Sequence, residues 1–255
     1  MKALILAAGR GKRMDDLTHE VNKCRVVIHG KPLIEYSLDN IATINAINEI
    51  VIVVGYQAES IINQYGITYK EKKIQYCIQD HQNGLVNAIE TARPFIDNDD
   101  FFLFLGDEIV LGVNYNEMID DFYTSNATVS CGVVRQPELS QIKKTYSIFQ
   151  NDENRIFRLV EKPKNPFNDI MGTGNCIFRN MMLEYIPIVP IHYIRKEKEL
   201  PDFIQCAIDD GLLVKSHYFC EYYMNANTKE ELQQLEKNWP KKFKNKENEC
   251  LQNIK

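Results

Sequence analysis

The sequence predicts an α/β fold, in which an open, mixed and mainly parallel sheet is flanked by helices. Two observations support this prediction. Short apolar runs rich in strand-forming residues recur along the first half of the chain, with helix-like segments between them. The runs do not alternate with polar residues, which is typical of strands buried on both faces in a parallel sheet. Predicted strands and predicted helices follow one another in turn over residues 1–125, and this order favours an open α/β sheet.

The predicted elements of the first half follow one another regularly. The predicted strands are the runs ALIL at 3–6, IVIVV at 50–54, FFLFL at 101–105 and ATVSCGVV at 127–134. The predicted helices are Leu33–Ala42, Ala58–Tyr65, Gly84–Arg93 and Asn114–Tyr123. Ligands of open α/β sheets bind beyond the carboxyl ends of the strands. We therefore expect the loop after the first strand to lie at the same edge as residues 79–84 and 105–107.

The second half of the chain predicts a β-hairpin that turns at residues 152–154, with a proline-bounded loop after it. Short strands are predicted at 173–178 and 212–218. A helix is predicted to begin at Thr228, because TKEE fits the S/T-x-x-E capping box. The regular succession of strands and helices therefore gives way to a different arrangement after residue 125.

Length and composition exclude several classes of protein. With 255 residues and 44% hydrophobic content, the chain can bury one sizeable core, and we predict a single domain at 1–240 and a lysine-rich tail at 241–255. A net charge of −5 argues against a general nucleic-acid partner. No apolar run approaches the roughly 18–20 residues that span a bilayer, so no membrane partner is expected.

The cysteines and histidines indicate a compartment and exclude one kind of site. The seven cysteines are scattered and contain no CxxC, which is typical of reduced thiols in a cytoplasmic protein. The first residues also lack the features of a signal peptide. We therefore expect a cytoplasmic location. The five histidines lie far apart, so a His/Cys metal site is not expected.

The opening loop, GRGKR at 9–13, combines two glycines with three cations directly after an apolar run. Such a turn lets backbone N–H groups approach phosphate oxygens, whose charge Arg and Lys neutralise. Two common phosphate motifs do not fit. The dinucleotide fingerprint requires glycine where this chain has Met14, which disfavours a dehydrogenase. The P-loop requires four residues between its glycines and a hydroxyl after the lysine, whereas here one residue separates them and Arg13 follows Lys12.

Five motifs occur in a fixed order along residues 1–235. They are LAAGRGKRM at 6–14 with Lys23 and GKPLIEY at 30–36 behind it, QDHQNGLVNAI at 79–89, LGDEIVLG at 105–112, EKPKNP at 161–166 and TGNCIF at 173–178. Together they resemble the sugar nucleotidyltransferases, and most nearly the glucose-1-phosphate thymidylyltransferases, in a short form with the catalytic domain only. The resemblance implies a Rossmann-like, GT-A-like nucleotidyltransferase fold.

The resemblance also implies a role for each matched residue. The implied catalytic residues are Arg13, Lys23 and Lys162. The implied nucleotide-binding residues are Leu6, Ala8, Gly9, Gly11, Gln79 and Gly84. The implied substrate-binding residues are Glu161, Lys162 and Gly174. The implied cofactor is Mg²⁺, with Asp107 and Asn225 as its ligands.

The chemistry implied by the resemblance is nucleotidyl transfer. A phosphate oxygen of the acceptor attacks the α-phosphorus of an NTP, and pyrophosphate leaves. Such a transfer requires positioning and charge neutralisation more than a covalent nucleophile. Hard carboxylate ligands on a turn after a buried strand, as at Asp107, suit a Mg²⁺ ion that bridges phosphate oxygens.

The chain departs from the family pattern at five positions, one of which is Asn227, where the family has glycine. Asn22 and Cys24 flank Lys23 where the family usually has prolines, and we expect the loss of that restriction to make Lys23 more mobile. Asn225 stands where the family has an aspartate, so Mg²⁺ affinity is expected to fall. Cys176 stands where an aromatic residue often lies on the sugar side.

Three functional interpretations stay open at this point. The first is transfer from a pyrimidine NTP (CTP, dTTP or UTP) to a phosphorylated small molecule, by default a sugar 1-phosphate, in capsule or cell-surface glycan biosynthesis. The second is a CTP-dependent cytidylyltransferase for a non-sugar phosphate, such as phosphocholine or phosphoglutamine. The third is a non-catalytic scaffold of the same fold. A homodimer is one open oligomeric state.

Overall fold

The computed structural model describes residues 1–11, 21–225, 227–241 and 243. Its strands are β1 Lys2–Ala7, β2 Val27–Ile28, β3 Lys31–Pro32, β4 Glu49–Val54, β5 Thr68–Tyr69, β6 Lys72–Ile78, β7 Phe101–Leu105, β8 Glu108–Leu111, β9 Val129–Arg135, β10 Tyr146–Gln150, β11 Ile156–Glu161, β12 Ile170–Phe178, β13 Val214–Tyr218 and β14 Tyr222–Asn225. Its α-helices are α1 Leu33–Ala42, α2 Ala58–Tyr65, α3 Leu85–Ile96, α4 Tyr115–Thr124, α5 Leu139–Ile142, α6 Leu200–Asp209 and α7 Lys229–Asn238. Two 3₁₀ helices cover Lys23–Arg25 and Asn180–Ile188.

A ten-stranded mixed sheet forms the centre of the fold. Its middle is parallel, in the order β6-β4-β1-β7, and Leu4 pairs with Val51 on one side and Leu103 on the other. The long strand β12 runs antiparallel to β7 and also pairs with β9 and β10. The predicted open, mixed α/β sheet is confirmed, and the parallel centre brings the carboxyl ends of β1, β6 and β7 to one edge.

Both faces of the central strands are buried, which explains why their sequences do not alternate. One face packs under α3 and α6, and its strand residues include Leu4, Val51, Val53, Phe101 and Leu103. The opposite face packs under α1, α2 and α4, and its strand residues include Ile5, Ile50, Ile52, Phe102 and Phe104. Consecutive strand residues therefore enter different halves of the core, and an apolar residue is required at every position.

Several predicted elements have the expected bounds. Helices α1 and α2 begin and end where the sequence predicts. Helix α3 continues past its predicted end at Arg93 to Ile96. The predicted hairpin is β10 and β11, and Thr228 caps α7 in a full capping box with Glu231.

Strand β6 and helix α6 are two of the elements that were not predicted from the sequence. Strand β6 was not predicted because it begins with two lysines and buries only Ile74 and Cys77, so it contains neither a continuous apolar run nor a regular alternation. Helix α6 was also missed. It packs against β11, and the side chain of Gln205 accepts a hydrogen bond from the backbone N–H of Leu159, 3.1 Å away.

A separate antiparallel pair, β8 and β14, brings the distant segment around residue 225 to the site. Asn225 lies opposite Glu108 in this pair. Six cysteines lie in the described part of the chain, and all six are free thiols. None of the helices formed by the described residues is long and apolar enough to cross a membrane.

Candidate active site

The loops after β1, β6 and β7 surround one cavity, here called the first cavity. Its lining residues are Leu6, Ala8, Gly9, Lys23, Cys24, Gln79, Gln82, Gly84, Leu85, Ala88, Leu105, Asp107 and Glu197. The parallel centre of the sheet explains this meeting, because it places the three loops at the same edge. The expectation that these loops lie together is therefore confirmed.

A lysine–carboxylate pair, Lys23 and Asp107, lines the first cavity. The Nζ of Lys23 contacts Oδ2 of Asp107 and lies 3.2 Å from Oδ1 of Asn227. The two paired side chains are only 10% and 22% exposed. Gly11 packs closely against the aliphatic part of the Lys23 side chain, since a Cβ added to Gly11 would stand 2.9 Å from the Cβ of Lys23. The Lys23 ammonium and the Asp107 carboxylate therefore form an ion pair that is largely shielded from solvent.

Asn22 fixes the 3₁₀ turn that carries Lys23. Its fully buried Nδ2 donates to the carbonyl of Ala7 at 2.9 Å and to that of Tyr56 at 2.7 Å, and its Oδ1 accepts from the N–H of Cys24 at 2.8 Å. Its φ of −59° is also one that proline would adopt. The side chain therefore supplies a restraint at the position where the family pattern has proline.

Gln79 lines the first cavity and is only 6% exposed. Its Nε2 donates to Oδ1 of Asn87 at 2.8 Å and to the carbonyl of Gly84 at 3.3 Å. Gly84 precedes α3 with a φ of +95°, a backbone conformation that favours glycine. Two of the six residues that the sequence assigns to nucleotide binding, Gln79 and Gly84, thus contact each other directly.

A second cavity adjoins the first. Its lining residues are Leu85, Leu105, Asp107, Glu108, Lys144, Thr145, Tyr146, Glu161, Lys162, Gly172, Thr173, Gly174, Glu199, Leu200, Pro201, Tyr223, Asn225 and Asn227. Leu85, Leu105 and Asp107 line both cavities. The two cavities therefore meet at the carboxylate that Lys23 contacts.

Glu161 and Lys162 form a pair in the second cavity, with Oε1 and Nζ 3.0 Å apart. Lys162 has a φ of +43°, which is unusual for a side chain of this kind, and its N–H donates to the carbonyl of Thr145 at 2.7 Å. Burial raises the pKa of Glu161 to about 7, and the Lys162 ammonium opposes that rise. The Glu161 carboxyl therefore titrates near neutrality.

Glu108 is a buried acid of this cavity that the sequence did not single out. The carboxylate is 2% exposed and accepts from the Gly174 N–H at 2.9 Å, Asn175 Nδ2 at 2.8 Å and the Tyr223 hydroxyl at 2.6 Å. Burial raises its pKa to about 8, although these donors favour the ionised form. The available sequence signal was an acid at the start of an apolar run, directly after Asp107.

The residues of the site fit a Mg²⁺ ion whose remaining ligands are supplied by water and by the phosphates of a bound substrate. Asp107 offers a carboxylate, and Oδ1 of Asn225 is a buried oxygen that accepts no hydrogen bond from the described residues. Over the described ranges, no group of three His, Cys, Asp or Glu side chains could hold a metal. Two hard oxygen donors suit Mg²⁺, which usually keeps waters and phosphate oxygens as its other ligands.

The structure thus gathers the candidate residues into two groups. Leu6, Ala8, Gly9, Gln79 and Gly84 line the first cavity, and Gly11 lies against Lys23. Glu161, Lys162, Gly174 and Asn225 line the second cavity. Arg13 lies outside the described residues. Asn22, Asn87, Glu108 and Asn227 are neighbours of the site that the sequence motifs did not assign.

The sequence matches one protein family over most of its length. The model of the family described as Nucleotidyl transferase matches residues 2–228. UTP–glucose-1-phosphate uridylyltransferase AglF of Haloferax volcanii is 30% identical over 211 residues, 83% of this chain and 85% of that protein. A glucose-1-phosphate thymidylyltransferase of Streptomyces griseus is 29% identical over 228 residues, 89% of this chain but only 62% of that enzyme.

Solved structures share the fold. A UDP-glucose pyrophosphorylase in complex with UDP-glucose superposes with a TM-score of 0.83 at 20% identity, over 94% of this chain and 98% of that one. The order of the motifs, the two adjoining cavities and the match to residues 2–228 agree with one another. The chain therefore belongs to the nucleotidyl transferase family of enzymes.

Proposed function

We propose that this enzyme transfers a nucleotidyl group from a pyrimidine NTP to a sugar 1-phosphate, giving an NDP-sugar and pyrophosphate. The observation that carries the proposal is that the first and second cavities meet at Asp107 and share Leu85 and Leu105. A transfer between two substrates requires two sites with a common reacting point. The cationic Lys23 and the carboxylate of Asp107 stand at that point.

The first cavity suits the nucleotide. Gly9 and Gly11 follow β1 and bring backbone close to Lys23, as a phosphate site requires. Gln79 and Gly84 also line this cavity, where the Gln79 side-chain amide and the start of α3 are available to a base. The triphosphate would extend between these ends, toward Lys23.

The second cavity suits the acceptor. Lys162 provides an ammonium for a phosphate, and Glu161 provides a carboxylate for sugar hydroxyls. The backbone at Gly174 lies directly against the side chain of Leu105, because a Cβ added there would overlap that side chain. An acceptor held in this way presents its phosphate toward Asp107.

In the proposed step, an oxygen of the acceptor phosphate forms a bond to the α-phosphorus. The bond from that phosphorus to the bridging oxygen of the β-phosphate breaks, and pyrophosphate leaves with the electron pair. Asp107 and Asn225 would hold Mg²⁺, which would supply positive charge to neutralise phosphate oxygens. Lys23 in the first cavity and Lys162 in the second neutralise the charge of phosphate oxygens. Both lysines are partly buried, which strengthens these electrostatic interactions.

The relatives support a sugar phosphate as the acceptor and uracil or thymine as the base. Their names specify glucose 1-phosphate with UTP or with thymidylyl transfer. A further relative, Agl11 of Haloferax volcanii, is named for low-salt glycan biosynthesis and is 26% identical over 241 residues. We therefore propose that the product is an activated sugar for glycan biosynthesis.

The experiment that tests the proposal is pyrophosphate release with Mg²⁺, crossing UTP, dTTP, CTP, ATP and GTP with sugar 1-phosphates, phosphocholine and phosphoglutamine. One strongly preferred pair of a pyrimidine NTP and a sugar 1-phosphate is the expected result. Turnover of CTP with a non-sugar phosphate would replace the proposal by a cytidylyltransferase. Binding of NTP without turnover of any pair would contradict it.

Asp107→Asn tests the reacting point. The amide keeps an oxygen for Lys23 but loses the charge that a divalent cation requires, so kcat is expected to fall roughly 10²-fold or more. Circular dichroism and melting should show an intact fold. The exposed Asp120→Asn is a matched control, with turnover near wild type. Equal turnover of the two variants would remove Asp107 from the proposed chemistry.

A further inference from the structure

Asn87 lies behind Gln79, on the first turn of α3, and none of the sequence motifs gives it a role. Its Oδ1 accepts a hydrogen bond from Gln79 Nε2 at 2.8 Å. The second acceptor of that Nε2 is the carbonyl of Gly84, at 3.3 Å. Both hydrogens of the Gln79 amide nitrogen are therefore used by the protein.

The orientation of the Gln79 amide follows from these partners. A backbone carbonyl can only accept, so the nitrogen of Gln79, not its oxygen, must face Gly84. Oδ1 of Asn87 accepts from the same nitrogen at the shorter distance, 2.8 Å against 3.3 Å, and so supplies the stronger of the two restraints. A reversed Gln79 would set its oxygen against the Gly84 carbonyl and against Oδ1 of Asn87, which costs both bonds and adds repulsion.

The consequence concerns the group that Gln79 offers to a base. Its Oε1 accepts no hydrogen bond from the described residues, and its side chain lines the first cavity. Gln79 can thus act toward a bound base only as an acceptor. Among pyrimidines, uracil and thymine carry an N–H at N3, whereas cytosine carries a lone pair there.

We propose that Asn87 is a positioning residue that sets base specificity, by holding the Gln79 amide with its oxygen toward the base. The enzyme then accepts uracil or thymine nucleotides and discriminates against cytosine at N3. This inference rests on the proposed function for the identity of the first cavity as the nucleotide site. Asn87 acts through Gln79 and does not itself need to contact the nucleotide.

The experiment measures the ratio of kcat/KM for UTP to that for CTP in four proteins. The wild type is expected to prefer UTP by at least about tenfold, since an unpaired lone pair facing Oε1 is penalised. Asn87→Ala removes the shorter of the two hydrogen bonds that hold Nε2, leaves only the 3.3 Å bond to Gly84, and should lower the ratio severalfold toward one. Asn87→Asp keeps an acceptor for Nε2 and should retain the wild-type ratio, even if its charge raises KM for every NTP.

The fourth protein controls for disturbance of α3. Thr91 lies one turn further along and its hydroxyl donates to the backbone carbonyl of Asn87 at 2.9 Å. Thr91→Ala should leave the ratio unchanged. If Asn87→Ala loses activity equally with UTP and CTP, or if the wild type prefers CTP, the inference is overturned.

Calorimetric titration with UTP and CTP in the presence of Mg²⁺ separates this inference from the proposed function. If no acceptor supports turnover but UTP binds more tightly than CTP, and Asn87→Ala reduces that difference severalfold, the inference stands and the proposed reaction fails. If turnover with a sugar 1-phosphate occurs and Asn87→Ala does not change the UTP to CTP ratio in either assay, the reaction stands and the inference fails.

Discussion

Glu161 is an acid whose protonation changes within the neutral range. Burial raises its pKa to about 7, and the neighbouring Lys162 limits the rise. The ionised form is the better acceptor for sugar hydroxyls. We therefore expect kcat/KM for the acceptor to increase between about pH 6 and pH 8, through the pKa of the free enzyme.

Glu161→Gln checks this pH dependence. The amide cannot ionise, so the increase of kcat/KM between pH 6 and pH 8 should disappear, with a lower value at pH 8. A variant that keeps the full wild-type increase would show that another group titrates.

The unfolding free energy of the wild type should change with pH in the opposite sense. Because folding raises this pKa, the protonated form favours the native state, and that contribution is lost as the pH rises from about 4.5 to about 7.

At the scale of elements, the turn between β7 and β8 decides where Asp107 lies. Gly106 donates its N–H to the carbonyl of Leu6 at 3.0 Å, and this ties the turn to the end of β1. A Cβ added to Gly106 would stand 2.9 Å from Sγ of Cys24 and 3.2 Å from the oxygen of Leu6. The turn therefore has room only for glycine between β1 and the Lys23 turn.

Gly106→Ala is expected to move the turn away from β1. A displacement of Asp107 by up to about 1 Å should lower kcat/KM about 10- to 100-fold. The overpacking should also cost roughly 1–3 kcal/mol of unfolding free energy in urea titrations. Adding Cys24→Ala removes the nearest clashing atom and should restore part of both losses. Wild-type kinetics in Gly106→Ala would contradict this account of the turn.

At the scale of the molecule, Asn22 joins three segments that are distant in sequence. Its side chain connects the end of β1 at Ala7, the loop after β4 at Tyr56 and the Lys23 turn at Cys24. The sequence-based expectation was a more mobile Lys23, because proline is missing beside it. The structure adds a restraint that the expectation did not include, namely three hydrogen bonds from a fully buried amide.

Asn22→Ala should therefore weaken both stability and turnover. Two carbonyls and one N–H would lose their partner in a buried place, which corresponds to roughly 2–4 kcal/mol of unfolding free energy. The loosened Lys23 should lower kcat more than it changes KM for NTP. Asn98→Ala, at an exposed position, provides the comparison and should behave as wild type. Equal stability of the two variants in urea would refute the anchoring role.

The sequence by itself determined the elements whose signals are local. The apolar runs of β1, β4 and β7 mark strands buried on both faces, the bounds of α1 and α2 follow from their sequences, and TKEE marks the start of α7. The order of the motifs further determined the family and the loops that carry the site. These features were predictable because each depends on neighbours along the chain.

Only the tertiary structure decided which side chains contact one another across the site. Glu108 meets Gly174 and Tyr223 from 66 and 115 residues away, and Lys23 meets Asp107 from 84. Even the contact of Gln79 with Asn87 requires the turn at Gly84 to bring a strand end against a helix. Sheet order and the β8–β14 pairing set these contacts. Hydrogen-bond partners depend on where the folded backbone places them, which local sequence patterns do not encode.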